Sequence, residues 1–353
     1  MAARSAKRKA GRAKPKRVNL ALQGGGSHGA FAWGVIDQFL ADGRLDIEGL
    51  SGTSAGSMNA VVYAYGRLVG GVEGARQALN DFWQSVSRAS GQWAPVKRTP
   101  WDAVLGSFAG DNSIAFQAFK AMTGAFSPYQ LNPYNLNPLR DLLVKHVDFA
   151  ALQDCRHTKL FLSATNVRTG RVKVFNTPEI TADVVMASAC LPQLFQAVEI
   201  AGEHYWDGGY MGNPVLFPLF YETESRDVII IHINPIERDG VPTRAPEIED
   251  RVNEISFNSS LIKELRAVAF VQKLLDDGWL KDEYRDKLKH VLIHSVRADK
   301  ALADLSVGSK FSVDWGFLTG LRDRGRAAAS AWLEENFDAV GVRQSVDLRA
   351  EFL

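Results

Sequence analysis

At 353 residues, with 46% hydrophobic and 23% charged residues, the chain can bury a large core and has a globular composition, which excludes disordered and fibrous classes. Its formal net charge of +1 hides a split: residues 1–17 hold Arg4, Lys7, Arg8, Lys9, Arg12, Lys14, Lys16 and Arg17 and no acid, leaving 33 basic against 40 acidic residues in the rest. No stretch approaches the ~18 apolar residues of a membrane span, and Cys155 and Cys190, the only cysteines, exclude a disulfide framework and a cysteine-spaced metal motif.

The basic arm, 1–17, is expected to be disordered. No apolar run follows its charges, so it does not read as a secretory signal, and with so few cysteines the expectation is a cytoplasmic protein. Its charge suits peripheral contact with an anionic membrane surface, although a solubilising leader would look the same. Val18–Leu22 then reads as a buried strand that stops at Gln23 and three glycines. A helix from Gly29, with Phe31, Val35 and Phe39 on its core face, ends near Asp42-Gly43. Ile47–Leu50 is a second short strand that runs into Gly52-Thr53-Ser54-Ala55-Gly56, and Ala55–Leu68 is a small-residue helix of the kind buried against a sheet. Alternating strands and helices predict an α/β fold with parallel neighbours.

Residues 90–139 break this pattern, with irregular prolines and glycines beside Trp93, Trp101, Phe108, Phe116, Phe119, Phe126 and Tyr129. They read as an insertion covering the site, either a lid with an apolar underside or a fixed cap. Lys159–Asn166 and Arg171–Asn176 form a strand pair around Arg168-Thr169-Gly170, and Thr181–Ala189 is helical up to Pro192. Asp227–Asn234 is the clearest buried strand, followed by a proline-bearing polar linker over 235–246. A long amphipathic helix over 248–278, a strand His290–Val296 and a helix Trp315–Asn336 close the chain. There is no internal repeat and no clean domain boundary after residue 18.

Gly52-Thr53-Ser54-Ala55-Gly56 spells Gly-x-Ser-x-Gly between a strand and a helix, where a tight turn can hold a serine hydroxyl out as a nucleophile. Glycine tolerates the crowding and dihedrals of such an elbow. A plain loop capped by Thr53 or Ser54 would read the same. A nucleophile needs a base and a site for the oxyanion. The run Gly24-Gly25-Gly26-Ser27-His28-Gly29, opening a helix at the same sheet edge, offers unshielded backbone N–H groups for the second.

That run also spells Gly-x-Gly-x-x-Gly through Gly24, Gly26 and Gly29, so a dinucleotide-binding oxidoreductase is the competing reading. Its acid should close the second strand, whereas Asp46 and Glu48 precede or open it. For the base, a Ser-Asp-His order through Asp207 and His290 or His294 is formally available, but neither histidine has a catalytic context. Asp207 in Tyr205-Trp206-Asp207-Gly208-Gly209 sits on a tight glycine turn that lets a carboxylate approach another backbone, although Asp-Gly turns are common.

Gln23-Gly24-Gly25-Gly26-Ser27-His28-Gly29, Gly52-Thr53-Ser54-Ala55-Gly56 and Asp207-Gly208-Gly209, in this order, resemble the motifs of the patatin-like phospholipase family. The block from Ala187 to Phe195 is similar to the family's Ala-Ser-x-x-x-Pro segment, and Asn213-Pro214 resembles another of its features. The resemblance covers about residues 18–235. It implies a three-layer α/β/α sandwich with a mainly parallel sheet, in which 18–235 is the catalytic domain and 236–353 an extension packed on it. It further implies a Ser-Asp dyad, with Ser54 the nucleophile, Asp207 the base, and the backbone of Gly24, Gly25 and Gly26 binding the oxyanion.

The expected activity is that of a lipid acyl hydrolase acting on lipid or acyl-ester substrates, of phospholipase A, lysophospholipase or carboxylester hydrolase type. No metal, organic cofactor or nucleic acid is expected. A catalytically idle lipid-surface adaptor is the non-enzyme alternative. The chain departs from the family pattern at His28, where the family usually carries Arg or Lys, and the fixed charge becomes a titratable one.

Overall fold

In the computed structural model, which describes residues 14–90, 121–285 and 287–352, the side chains of two central strands divide between two cores. The strand β1 (Lys16–Leu22) sends Val18, Leu20 and Leu22 into one core and Ala21 into the other. β7 (Asp227–His232) likewise sends Ile229 and Ile231 one way and Val228 and Ile230 the other. This period-two division of a continuous apolar run is what a sheet covered on both faces requires. The remaining strands are β2 (Leu45–Gly52), β3 (Lys159–Asn166), β4 (Val172–Asn176), β5 (Val198–Ile200), β6 (Glu203–Asp207) and β8 (Leu292–Arg297).

The sheet order is β5-β6-β3-β2-β1-β7-β8, with β4 beside β3. The run β3-β2-β1-β7-β8 is parallel throughout, and β4, β5 and β6 pair antiparallel at one end. Chain order reverses direction at β1, and in open α/β sheets such a switch point leaves a crevice beyond the carboxyl ends of the strands. β1 and β2 end there, in the glycine run and the serine turn.

Helices α1 (Gly29–Asp42), α2 (Ala55–Ser90), α3 (Ala182–Ser188) and α5 (Trp315–Asn336) contribute to the larger core, and α4 (Ala245–Asp276) covers the opposite face through Leu261, Leu265, Val268 and Ala269. The chain is thus a three-layer α/β/α sandwich with a mainly parallel sheet. The expected helix Ala55–Leu68 ends where α2 breaks, at Gly70-Gly71, with Gly71 at φ 63. A second stretch continues to Ser90. The sequence reading missed β5 and β6: these short antiparallel strands lack the apolar runs that marked the buried ones, and Tyr205–Asp207 is strand rather than turn. The basic arm as far as residue 13, and residues 91–120 of the expected insertion, lie outside the described residues. Within 121–139, Met122, Phe126, Tyr129, Leu131, Tyr134 and Leu136 are exposed. No helix among the described residues is long and apolar enough to cross a membrane.

Residues 236–353 supply α4, α5 and the edge strand β8. α5 crosses α1 at two glycines. A Cβ on Gly34 would lie 1.9 Å from the Arg322 carbonyl oxygen, and one on Gly325 would lie 2.1 Å from that of Phe31. Backbone blocks both positions, so an added methyl must push the helices apart. Gly325→Ala should destabilise the fold by about 1–3 kcal/mol, the usual range for overpacking. A urea midpoint equal to that of the parent protein would refute this.

Candidate active site

β3 brings the serine turn and the Asp-Gly-Gly turn together. Its first half pairs with β2, Leu162 opposite Gly52, and its second half pairs with β6, Ala164 opposite Asp207. β4 occupies the other edge over Phe161–Thr165, so β2 and β6 share one edge end to end. Gly52 and Asp207 therefore fall two rungs apart, roughly 7 Å along the strand at ~3.3 Å per residue. The two turns then face each other across this short gap.

Ser54 stands at φ 55, in the left-handed region that non-glycine residues rarely adopt. Several bonds hold it there. Its N–H donates to Ser188 Oγ at 3.0 Å, the Thr53 hydroxyl donates to the Gly212 carbonyl at 2.7 Å, and Ser57 Oγ donates to the Ser54 carbonyl at 2.6 Å. The flanking glycines admit close backbone. A Cβ on Gly56 would lie 2.3 Å from the Leu22 carbonyl oxygen, and one on Gly52 would lie 2.7 Å from that of Gly56. Ser188 belongs to the Ala-Ser-x-x-x-Pro segment, whose contribution the sequence left undefined, and its hydroxyl pins the elbow.

Asp207 is 1% exposed. Its Oδ1 accepts the Gly209 N–H at 2.7 Å, its N–H donates to the Cys190 carbonyl, and its carbonyl accepts the Thr165 hydroxyl. Gly208 is needed because a Cβ there would sit 2.2 Å from the Ser163 carbonyl oxygen. Burial pushes the Asp207 carboxyl up to about 6, against the Gly209 N–H and the Ser54 hydroxyl, whose hydrogen bonds hold it down. The Ser54 hydroxyl thus lies close to a buried carboxylate of raised proton affinity. Nearby Cys190 is no rival nucleophile: burial, then the Asp207 charge, pushes its thiol up to about 12.

The glycine run packs directly on the elbow, since a Cβ on Gly24 would lie 2.7 Å from Ser54 Cβ. Its amides are not equivalent. Gly24 N–H donates to Asn213 Oδ1 at 2.6 Å, which commits it to holding the loop and leaves Gly25 and Gly26 as the candidate oxyanion donors. Gln23 ties the loop to β1's neighbour: its Oε1 accepts the N–H groups of Ile233 and Asn234, and its Nε2 donates to the Asn213 carbonyl and Asn258 Oδ1. Asn234 Nδ2 donates to the Gly24 carbonyl at 2.8 Å. Gln23 and Asn213 were visible in the sequence as parts of the Gln23–Gly29 motif and of Asn213-Pro214, whereas Asn234 and Asn258 carried no readable signal.

The histidines lie elsewhere or are engaged. His294 is held between Asp227 and Ser345, His290 pairs with Asp276, and His232 meets Ser295. His28 is buried with its Nε2 2.7 Å from Ser309 Oγ. Because that hydroxyl donates to the Ser306 carbonyl, His28 Nε2 is the donor in this pair. Burial, reinforced by Lys310, Arg238 and Arg324, pushes the imidazole down to about 3, so position 28 is neutral at neutral pH. Glu48 accepts the N–H groups of Glu224 and Ser225 and Asp46 faces Arg67, whereas the carboxyl end of β2, where a dinucleotide fold needs its acid, is Gly52. Among the described residues no cluster of three or more His, Cys, Asp or Glu could hold a metal ion.

A family model described as patatin-like phospholipase matches residues 20–220. Among solved structures, the chain is similar to VipD from Legionella pneumophila at 16% identity and a TM-score of 0.38, covering 90% of this chain and 67% of that one. It is also similar to the type III effector protein ExoU at 14% identity and a TM-score of 0.34, covering 91% and 53%. ExoU in its heterodimeric complex with SpcU, from the type III secretion system of Pseudomonas aeruginosa, gives 17% identity and a TM-score of 0.30, covering 92% and 61%. The chain thus spans little more than half of the ExoU chain. No curated protein matches it.

Proposed function

This chain belongs to the patatin-like phospholipase family, and from that premise we propose that it is a serine hydrolase cleaving acyl ester bonds of lipids through a Ser54-Asp207 dyad. Family membership supports lipid hydrolysis in general. The observation that carries the finer reading is the serine turn set two rungs from Asp207 on β3, with the Ser54 hydroxyl close to a buried carboxylate whose proton affinity burial has raised. Such a carboxylate is basic enough to take a proton near neutral pH without an intervening imidazole.

In this reading Asp207 accepts the Ser54 proton as Oγ attacks the ester carbon, and the carbonyl π electrons move onto oxygen. The N–H groups of Gly25 and Gly26, beside the start of α1, stabilise that oxyanion. Collapse expels the alcohol, which takes the proton from Asp207 and leaves an acyl-serine. A water then gives its proton to Asp207 and attacks the acyl carbon, and Ser54 regains its proton as the fatty acid leaves. Tyr210 and Met211, exposed immediately after the Asp-Gly-Gly turn, give the mouth an apolar lip suited to acyl chains. Contact of the basic arm with an anionic membrane from the cytoplasmic side belongs to the same proposal.

A fluorophosphonate probe tests it, since the probe traps an activated serine covalently. We expect labelling at Ser54 alone, together with turnover of medium-chain acyl esters. Folded protein that takes no label and turns over no ester would instead be an idle lipid-surface adaptor.

A further inference from the structure

The short 3-10 turn Val307–Phe311, far along the chain from the glycine run, lies against it. The Lys310 carbonyl oxygen would be 2.5 Å from a Cβ on Gly26, which sits at φ 57, so the turn closes over the loop. The His28 Nε2–H donating to Ser309 fixes the turn to the residue that ends the glycine run. Next to that clamp, the half-buried Lys310 ammonium donates to Asn234 Oδ1 at 2.8 Å. The other end of the same amide, Nδ2, donates to the Gly24 carbonyl at 2.8 Å and lies 3.3 Å from Gln23 Oε1. A cation on Oδ1 dictates which way round the amide stands. With the amide reversed, Oδ1 would face two acceptors and Nδ2 would face the ammonium. The chain of donors also polarises in one direction, each bond strengthening the next.

We propose that Lys310 is a positioning residue for the oxyanion loop, its ammonium orienting Asn234 and thereby holding the Gly24 peptide so that the Gly25 and Gly26 amides stay aimed at the reacting carbonyl. The proposal rests on the Ser54-Asp207 reading for its catalytic consequence, but the loop geometry can be tested without it. Burial pushes the ammonium down to about 8, against the attraction of Glu254 and Asp250 and with help from Arg238. The other charged groups packed around the turn are Arg251, which shares Glu254 with Arg238, and Arg324, which pairs with Asp304. His28 is neutral across the same range. Activity should therefore fall as pH rises through about 8, when the ammonium becomes an amine and ceases to impose one amide orientation.

The experiment compares Lys310→Met and Lys310→Arg with the parent protein for kcat, KM and pH dependence on a medium-chain acyl ester. Amide hydrogen exchange over residues 24–28 is followed in parallel. We expect Lys310→Met to lower kcat about 10- to 100-fold, the scale of a misaimed catalytic group, with KM nearly unchanged. It should also lose the alkaline limb near pH 8 and exchange its loop amides faster. Lys310→Arg, whose guanidinium stays charged, should restore most of kcat and move the limb to higher pH. Parent-like kcat, alkaline limb and loop exchange in Lys310→Met would overturn the proposal while leaving the dyad intact. An alkaline limb that stays near pH 8 in Lys310→Arg would overturn it as well. If the parent protein hydrolyses no ester, the dyad reading fails, and loop exchange alone decides for or against Lys310.

Discussion

Ser54→Ala should leave a folded protein whose hydrolysis of a medium-chain acyl ester falls by at least about 10³-fold, because no other group can carry the acyl intermediate. Asp207 and the loop amides would persist, but a water lacks the held geometry of a side chain on the elbow. The strain at this position yields a second, independent result. Ser54 sits at φ 55, where a Cβ is crowded, and alanine keeps that Cβ. Ser54→Gly removes it and relieves the left-handed backbone of that crowding. Both variants should be inactive, yet Ser54→Gly should be the more stable by about 1 kcal/mol, the usual penalty for a left-handed non-glycine residue. Ester assays and thermal melts on the pair check this. Near-parental turnover by Ser54→Ala would remove the nucleophile assignment, and equal melting would remove the strain argument.

Asp207→Asn should cost a similar factor in kcat/KM, since an amide cannot accept the serine proton. In the parent protein the base must be ionised, so kcat/KM should rise with pH through about 6 and hold until the Lys310 limb near 8. Stability should move the opposite way. The folded carboxyl binds its proton more tightly than the unfolded one, near 6 against 3.8. Raising the pH from about 4 to about 6 therefore ionises the unfolded chain first and lowers stability, by about 3 kcal/mol once complete. Asparagine carries no such penalty, and its Oδ1 can still accept the Gly209 N–H. The variant should be inactive yet more stable than the parent at pH 8, with no stability loss from this site between pH 4 and 6. Full turnover by folded Asp207→Asn would rule out the dyad.

Much of the frame was legible because it rests on local signals. The apolar runs of β1 and β7, the small-residue start of α2 and the boundaries of α5 follow from periodicity and from glycine positions. The glycine run, the elbow and Asp207-Gly208-Gly209 were visible as motifs because close backbone approach restricts them to few residue types. What sequence could not supply was anything fixed by register. The pairing of β6 beyond β2 on one edge of β3 depends on two short strands with weak patterns, and that pairing sets Asp207 against Ser54. The loop's support was hidden for a related reason. Asn234 and Lys310 are ordinary polar residues until the fold brings them within hydrogen-bonding distance, and Lys310 reaches the glycine run from nearly 290 residues away. The reading of Gly24 as an oxyanion donor missed Asn213 for the same reason, since a backbone N–H gives no sign in sequence of which partner claims it.

The crossing of α1 and α5 at Gly34 and Gly325 also bears on the order in which the protein is made. α1 leaves the ribosome about 290 residues before the helix that covers it, an interval of roughly 15–60 s at ordinary elongation rates. Through that interval the notched face of α1, with Phe31 and Val35 beside it, has no permanent cover. β7 similarly waits for β8 with one edge unpaired. The motifs proposed to carry catalysis are all synthesised by residue 209, yet the layer that shields their scaffold comes last. The nascent chain therefore passes through a stage in which the residues of the proposed site exist and its sandwich is still open on one side, and that stage is where a chaperone would bind and a ribosome pause would favour aggregation.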